Sequence, residues 1–298
     1  MHFLSVADFS SEELEELMSL ITTIKKHPER FSNRLKNKTL VLIFEKPSTR
    51  TRVSFEQAIL QLGGHAITLR REEMQLGRGE SIADSARVLS RYVHAIMARV
   101  YNHESLVELA KYSTIPVING LSDLEHPCQI VSDLFTVYEE FGSLEGIKLA
   151  YVGDGNNVCN SLLLGCALLG VELRVATPKN YRPSPKILKK AIELNPTIQL
   201  MDNPAKAVER ANVVYTDVWV SMGDEGEEEE RVKVFKPYQV NTKLLSHASP
   251  DVKVMHCLPA HRGLEITDEV IDGHSSIVWT QAENRLHAQK AILLKLMK

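Results

Sequence analysis

The sequence predicts an α/β protein of two doubly wound parallel-sheet domains, and three observations support this fold class. A short, continuously apolar run at 39–44 is typical of a strand covered on both faces, and a second strand is predicted at 147–152. Segments with helical spacing of apolar residues separate these runs, as in repeated β-α units. The chain of 298 residues is long enough for two domains of ordinary size.

Composition favours a soluble globular protein. The chain is 44% hydrophobic and 24% charged, and its net charge of −3 gives no indication of a nucleic-acid partner. No apolar run is long enough to span a membrane, and the first residues resemble no signal segment, so we expect a cytoplasmic protein with no membrane contact. The four cysteines are scattered without a C-x-x-C pair, which is typical of a reducing compartment.

The first predicted helix begins after Ser10, with Glu13 completing a capping box. Its apolar positions fall on one face and comprise Leu14, Leu17, Met18, Ile21 and Ile24. This pattern indicates packing and carries no chemistry.

The turn after the strand 39–44 is the strongest candidate for a binding site. Pro47 ends the strand and a helix is predicted to begin at Ser48 or Thr49, where unpaired N–H groups and the helix dipole favour an anion. The side chains that add donors are those of Ser48, Thr49, Arg50, Thr51 and Arg52. On the residues alone, an ordinary capping serine with solvated arginines remains an equal alternative.

Ser-Thr-Arg-Thr-Arg after a buried strand resembles the carbamoyl phosphate signature of the aspartate and ornithine carbamoyltransferases. The resemblance implies that Ser48, Thr49, Arg50 and Thr51 hold the phosphate of carbamoyl phosphate. Later stretches of the chain resemble the same family in the same order.

The first half continues as β-α units, with strands predicted at 65–69, 94–98 and 116–119. Arg99 ends the second of these strands, on the face where open α/β sheets bind ligands, although a solvated edge residue is the alternative. His126 and Gln129 lie three residues apart around Pro127 at a helix start and can point to one ligand. A lone histidine is usually structural, but His-Pro-x-Gln again resembles the family, in which both residues touch the carbamoyl group.

Residues 142–146 form the predicted domain boundary, which gives a carbamoyl phosphate domain at 1–141 and an ornithine domain at 142–282. The turn 153–158 resembles a dinucleotide fingerprint. Val158 replaces its third glycine, and the strand 172–177 ends without an acidic residue, so nicotinamide binding is disfavoured. The family resemblance instead assigns Asn157, with Asn156 beside it, to an amino-acid substrate.

Asp217 ends the predicted strand 212–216, where a carboxylate can hold an ammonium group. The acidic run ending at Glu230 is predicted to be a solvated face. Asp217, Ser221 and Met222 belong to an Asp-x-x-x-Ser-Met-Gly stretch that resembles the ornithine branch of the family.

The predicted strand 252–256 leads into His256, Cys257 and Leu258. A metal site from His256, Cys257 and His261 lacks a fourth ligand, and a Cys257 nucleophile paired with His256 is disfavoured because strand neighbours point to opposite faces. The His-Cys-Leu-Pro stretch also matches the ornithine branch, in which the cysteine lies beside the substrate.

The end of the chain is predicted as a strand at 276–280 and a helix at 283–298 that packs back on the first domain, with Arg285 in its first turn. The resemblance assigns Arg285 to the carbonyl end of carbamoyl phosphate.

Taken over the whole chain, the resemblance implies attack of the δ-amine of L-ornithine on carbamoyl phosphate, in a cleft between the two domains, without cofactor or metal. It implies a homotrimer in which Gln75 reaches the neighbouring subunit's site. Arg50, Arg99, His126 and Cys257 are the implied catalytic residues. The implied carbamoyl phosphate ligands are Ser48, Thr49, Arg50, Thr51, Gln75, Arg99, His126, Gln129, Cys257, Leu258 and Arg285. The implied ornithine ligands are Asn157, Asp217, Ser221 and Met222.

Some alternatives stay open at this point. The accepting amine could be aspartate, putrescine, lysine or an acylated ornithine, and the chain could be a non-catalytic subunit that binds nucleotides or amino acids. The proton of the δ-amine could pass to Cys257, Asp217, the phosphate or water. The residues do not distinguish arginine synthesis from arginine breakdown.

Overall fold

A computed structural model describes residues 1–74, 79–220 and 225–297. The chain divides into two compact units, the first containing residues 1–135 and 284–298 and the second containing residues 136–283. Within the described ranges, no helix is long and apolar enough to cross a membrane.

The described residues of the first unit form a parallel sheet with strand order β2-β1-β3-β4. The strands are β1 (Thr39–Phe44), β2 (His65–Arg70), β3 (Ala95–Arg99) and β4 (Val117–Leu121). The accompanying helices are α1 (Ser11–Lys26), α2 (Thr49–Gln61), α3 (Ile82–Tyr92), α4 (His103–Tyr112) and α5 (Pro127–Phe141). The division between the units falls within α5, after Phe135.

The described part of the second unit forms a five-stranded parallel sheet with order β7-β6-β5-β8-β9. The strands are β5 (Lys148–Val152), β6 (Glu172–Ala176), β7 (Gln199–Met201), β8 (Val213–Thr216) and β9 (Lys253–His256). The helices are α6 (Asn157–Leu168), α7 (Pro185–Leu194), α8 (Pro204–Val208), α9 (Glu228–Phe235), α10 (Thr242–Leu245) and α11 (Asp268–Ile271). A last helix, α12 (Val278–Leu296), ends in the first unit.

Both sheets are doubly wound, which confirms the predicted fold class. In each sheet the chain first adds strands on one side of its first strand and then returns to add strands on the other side. The direction reverses between β1 and β3 in the first unit and between β5 and β8 in the second. Ligands of open α/β sheets bind beyond the carboxyl ends of the strands at such switch points.

Local sequence signals explain most helix starts and buried faces. Ser10 and Glu13 form the predicted capping box of α1, and the predicted apolar face of this helix is buried. Ser48 caps α2, as expected. The acidic residues at 226–230 are exposed, which confirms the predicted solvated face.

The predicted strand at 276–280 is wrong. Only Ser276 makes an isolated bridge, to Val254, and α12 begins at Val278. The β-branched and aromatic residues at 277–280 favour a strand by propensity, but Val278 is fully buried in the core of the second unit as a helical residue. Arg285 is therefore the eighth residue of α12, and the prediction that it lies in the first turn of this helix is wrong.

Candidate functional site

The turn between β1 and α2 places hydroxyl and N–H donors at the switch point of the first sheet. Phe44, at the end of β1, pairs with Arg99, at the end of β3. The Ser48 hydroxyl accepts a hydrogen bond from the Thr51 N–H at 3.3 Å. The first turn of α2 holds no acidic residue, so no side-chain carboxylate in it neutralises the positive end of the helix dipole.

Arg285 is tied to this turn from a distant part of the sequence. Its Nη2 donates to the Thr51 hydroxyl at 2.9 Å, and both side chains are buried. Arg50 is exposed at the same helix start. The N-terminus of α2 therefore has one buried guanidinium, Arg285, and one exposed guanidinium, Arg50, close to it. Their positive charges make the region strongly attractive to an oxyanion.

Buried polar side chains lie at the start of α5. His126 is 4% exposed and Gln129 is 1% exposed. The Gln129 amide donates through Nε2 to the Asp133 carboxylate at 2.8 Å. Because a carboxylate only accepts hydrogen bonds, Asp133 fixes the orientation of the amide and leaves the Gln129 Oε1 as an acceptor. Asp133 was not identified from the sequence, although its position four residues after Gln129 on a helix is a usable signal.

His126 is held neutral by its surroundings. Burial lowers the pKa of His126 well below 6.5, and the nearby positive charges of Arg285 and Arg99 lower it further. A neutral imidazole can still donate one N–H to a developing negative charge.

This lowered pKa predicts a pH-dependent loss of stability. Below about pH 6.5 the unfolded chain protonates His126 while the folded chain does not, so the free energy of unfolding falls as the pH falls. When the pH is lowered from 7.5 to 5.5, the free energy of unfolding measured with urea should fall by about 1 kcal/mol less in His126→Asn than in the wild type. Burial also lowers the pKa of His2 and His103, so only this difference isolates His126. Equal losses in the two proteins would contradict the assignment.

In the second unit, Asp217 follows β8 and is oriented by three hydrogen bonds. Its Oδ2 accepts from the Asn156 amide at 2.7 Å. Its Oδ1 accepts from the Cys257 thiol at 2.8 Å and from the Val218 N–H at 2.8 Å. Asp217 is 5% exposed. The ends of β5, β8 and β9 thus bring together side chains about 40 to 100 positions apart in the sequence.

Asn156 and Asn157 have different positions in this group. Asn156 caps α6, since its Oδ1 accepts from the N–H groups of Val158 and Cys159 at 3.0 and 3.1 Å. Both ends of the Asn156 amide are therefore engaged by the protein. Asn157 is the first residue of α6.

The glycines of the fingerprint-like turn are explained by chain packing. A Cβ atom at Gly155 would overlap the backbone of Arg182 and Pro183, and the Gly155 N–H donates to the Tyr181 carbonyl at 2.9 Å. Gly153 has a φ of 147°. Contacts and backbone conformation within the chain therefore explain both glycines without a bound pyrophosphate, which supports the sequence argument against a dinucleotide.

Among the described residues, one group of three side chains has the spacing of a metal site. The ligand atoms of Asp217, His256 and Cys257 lie within 4.8 Å of one another. However, the His256 Nδ1 accepts from the Leu258 N–H at 2.9 Å, and its Nε2 lies 3.0 Å from the Glu265 carboxylate. Both ring nitrogens are therefore engaged in holding the turn that carries Cys257 and Leu258. His261, considered above as a ligand, is exposed and outside this group.

Cys257 should be the most accessible thiol of the protein. Cys128, Cys159 and Cys166 are buried, whereas Cys257 is partly exposed. Burial raises the pKa of Cys128 to about 12 and also raises those of Cys159 and Cys166. Under native conditions iodoacetamide should therefore modify Cys257 first, as read by peptide mass spectrometry, and Cys257→Ser should abolish this modification. First labelling at a buried cysteine would contradict the described exposures.

Three of the predicted site residues, Gln75, Ser221 and Met222, lie outside the described residues. The structure brings the others into two groups. The first unit contains Ser48, Thr49, Arg50, Thr51, Arg99, His126, Gln129 and Arg285, and the second contains Asn157, Asp217, Cys257 and Leu258.

These features define a class of protein, namely a two-unit α/β protein with a helix start that suits an oxyanion at one switch point and an oriented carboxylate at the other. Residues 1–139 match the family "Aspartate/ornithine carbamoyltransferase, carbamoyl-P binding domain". Residues 145–296 match "Aspartate/ornithine carbamoyltransferase, Asp/Orn binding domain". The chain belongs to the aspartate/ornithine carbamoyltransferase family.

Individual relatives cover nearly the whole chain. An ornithine carbamoyltransferase of Archaeoglobus fulgidus is 58% identical over 99% of this chain and 97% of its own. The anabolic ornithine carbamoyltransferase of Pyrococcus furiosus is 54% identical over 99% of this chain and 95% of its own. A solved structure of ornithine carbamoyltransferase from Pyrococcus furiosus matches with a TM-score of 0.96 at 53% identity, covering 99% of this chain and 96% of that one.

Proposed function

We propose that the protein transfers the carbamoyl group of carbamoyl phosphate to the δ-amine of L-ornithine, giving L-citrulline and phosphate. The observation that carries this proposal is the start of α2, where Ser48 caps a helix whose first turn holds no acidic residue and the Thr51 hydroxyl accepts a hydrogen bond from the Arg285 guanidinium. Family membership and the names of the relatives support the choice of both substrates.

The first unit would bind carbamoyl phosphate. Ser48, Thr49, Arg50 and Thr51 hold the phosphate through hydroxyls, the N–H groups that begin α2 and the exposed Arg50 guanidinium. Arg50, Arg99 and His126 stabilise the charge that grows on the carbonyl oxygen as the carbon becomes tetrahedral. The Gln129 Oε1, held by Asp133, accepts from the carbamoyl NH₂, and Arg285 orients the carbonyl end.

The second unit would bind ornithine. The Asp217 carboxylate pairs with the α-ammonium group, and Asn157, Ser221 and Met222 complete the contacts to the α-amino and α-carboxylate groups. Cys257 and Leu258 lie by the δ-amine and the carbamoyl group. Most of the catalysis then comes from positioning and electrostatics, and no covalent enzyme intermediate is needed.

The protons can be balanced without a dedicated base. The δ-ammonium must first lose one proton, because its ordinary pKa is about 10.4, as for a lysine amine. The neutral nitrogen then forms the C–N bond to the carbonyl carbon, and the C–O bond to phosphate breaks when the tetrahedral carbon returns to a carbonyl. The leaving phosphate takes the second N–H proton and departs as hydrogen phosphate. The Cys257 thiol donates a hydrogen bond to the Asp217 Oδ1, so this geometry favours the phosphate or water over Cys257 as the proton acceptor. No cofactor or metal is required for these bond changes.

We further propose a homotrimer in which Gln75 of one subunit completes the carbamoyl phosphate site of its neighbour. A cavity of about 500 Å³ adjoins Ser48, Thr49 and Arg70, on the side of the edge strand β2. Val53, Leu60 and Ile67 are exposed apolar side chains on α2 and β2, which supports burial by another chain. Light scattering should give three times the chain mass of 33.5 kDa. When inactive Arg50 and Gln75 variants are mixed and reassembled, some sites should combine an intact Arg50 with an intact Gln75 from the neighbouring subunit, so partial activity should return. A monomeric protein would overturn the proposed homotrimer.

We also place the protein in the cytoplasm and in arginine biosynthesis. None of the four cysteines forms a disulfide, as in a reducing compartment, and the name of the Pyrococcus furiosus relative supports the anabolic role. A bacterial strain that cannot make citrulline and therefore needs citrulline or arginine for growth provides the test. Growth of this strain without either supplement when it carries this chain would support the biosynthetic role, and failure to grow despite activity in extracts would oppose it.

The decisive assay measures carbamoylated product from carbamoyl phosphate with five amines: ornithine, putrescine, lysine, N-acetylornithine and aspartate. Ornithine should be preferred strongly over the other four. Preference for another amine would keep the reaction class and change the substrate. Binding of carbamoyl phosphate or ornithine with no product would instead indicate a non-catalytic binding protein.

A further inference from the structure

Arg231, on α9, is a buried charged residue to which the proposed reaction gives no task. It is 5% exposed, although it directly follows the exposed acidic run. Its guanidinium lies 4.7 Å from the Tyr181 ring and 5.5 Å from the Phe235 ring. A charge buried at this depth requires partners, and the identity of those partners indicates its role.

The guanidinium joins two segments that leave neighbouring strands. Its Nε donates to the Trp219 carbonyl at 2.6 Å, in the segment after β8. Its Nη2 forms an ion pair with Asp154, in the turn after β5. A third contact, from Nη1 to the exposed Glu227, is 3.5 Å long and therefore weaker.

Each of these segments carries one member of the Asn156–Asp217 pair. Asp154 lies two residues before Asn156, and Trp219 lies two residues after Asp217. The Tyr151 hydroxyl, on β5, donates to the Asp154 carbonyl at 2.9 Å and holds the turn from the other side. The amide of Asn156 then reaches the Asp217 carboxylate at 2.7 Å. Arg231 thus fixes the distance between the turn after β5 and the segment after β8.

We propose that Arg231 is a positioning residue for the ornithine site, acting through Asp154 and Trp219 on Asn156, Asn157 and Asp217. This inference rests on the proposed function. Without the guanidinium, the two segments keep their strands but lose the common anchor beyond the strand ends. The Asp217 carboxylate would then no longer be held where the α-ammonium group needs it.

The test compares two matched double variants. Arg231→Met with Asp154→Asn removes both buried charges together, which avoids leaving Asp154 without a counter-ion. Arg174→Met with Glu172→Gln is the control, since Arg174 also bonds one carboxylate, Glu172 at 2.6 Å, and one backbone carbonyl, Glu209 at 2.7 Å. Arg174 lies on β6, on the side of β5 opposite to β8 and therefore outside the β5–β8 switch point.

We expect the KM for ornithine to rise about tenfold or more in the Arg231 pair variant, while the Kd for carbamoyl phosphate, bound by the first unit, changes less than about twofold. Arg231→Lys, which can keep the Asp154 ion pair but not both bonds, should give an intermediate KM. The Arg174 pair variant should keep the wild-type KM for ornithine and the wild-type Kd for carbamoyl phosphate, and its melting temperature should be comparable to that of the Arg231 pair variant. An unchanged ornithine KM in the Arg231 variants, with citrulline still formed by the wild type, would overturn this inference alone. Absence of citrulline in the wild type would instead overturn the proposed function.

Discussion

Replacement of Arg50 by methionine is expected to lower kcat/KM for carbamoyl phosphate by about 30- to 1,000-fold, which corresponds to about 2–4 kcal/mol of transition-state stabilisation. The Arg50 side chain is exposed and makes no hydrogen bond or ion pair to any residue that the structure describes, so its guanidinium is available to a ligand. Charge-assisted bonds to phosphate are among the stronger protein hydrogen bonds. Because the side chain is exposed, the substitution should leave the melting temperature nearly unchanged.

The matched control for this prediction is Arg87→Met. Arg87 is another exposed arginine on a helix of the first unit, and it pairs with Asp84 at 2.9 Å. Steady-state kinetics should show wild-type constants for Arg87→Met. If Arg50→Met kept both its turnover and its saturation by carbamoyl phosphate, Arg50 would have no role in binding the phosphate.

The second large effect is expected for Asp217→Asn, which should lower kcat/KM for ornithine by about 30- to 1,000-fold while the Kd for carbamoyl phosphate stays near its wild-type value. Asparagine removes the charge that pairs with the α-ammonium group. If Oδ1 keeps its bonds to Cys257 and Val218, the new NH₂ would face the NH₂ of Asn156, so the hydrogen-bond pattern would fail as well.

Asp202→Asn provides the control for Asp217→Asn. Asp202 also follows a strand of the second sheet, β7, but that strand lies at the far edge, away from the switch point. Its contact with Lys179 is exposed and 3.9 Å long. Kinetics with varied ornithine should not distinguish Asp202→Asn from the wild type. A normal ornithine KM in Asp217→Asn would remove this carboxylate from the site.

The elements of this fold could be predicted from the sequence because their signals are local. The apolar run of β1, the stop at Pro47 and the cap at Ser48 all lie within ten consecutive residues. The failure at 276–280 has the opposite cause, since burial of Val278 in a helix depends on distant residues.

The assembly of the site could be predicted less completely. Strand order determines which strand ends are neighbours, and this order cannot be read directly from the sequence. The family resemblance assigned Asp217, Asn156 and Cys257 to the neighbourhood of the substrate, and the structure adds the hydrogen bonds that Asp217 accepts from the other two. Arg231 was missed because the acidic run before it suggested a solvated surface, whereas its partners lie 12 and 77 residues away.

The most direct test is a crystal structure of the protein with Nδ-(phosphonoacetyl)-L-ornithine, in which a methylene group replaces the oxygen that links the carbonyl carbon to phosphorus. We expect phosphonate oxygens about 3 Å from the Ser48 hydroxyl and from the N–H groups that begin α2, with the α-ammonium group at the Asp217 carboxylate. A phosphonate bound elsewhere, with the start of α2 empty, would contradict this expectation.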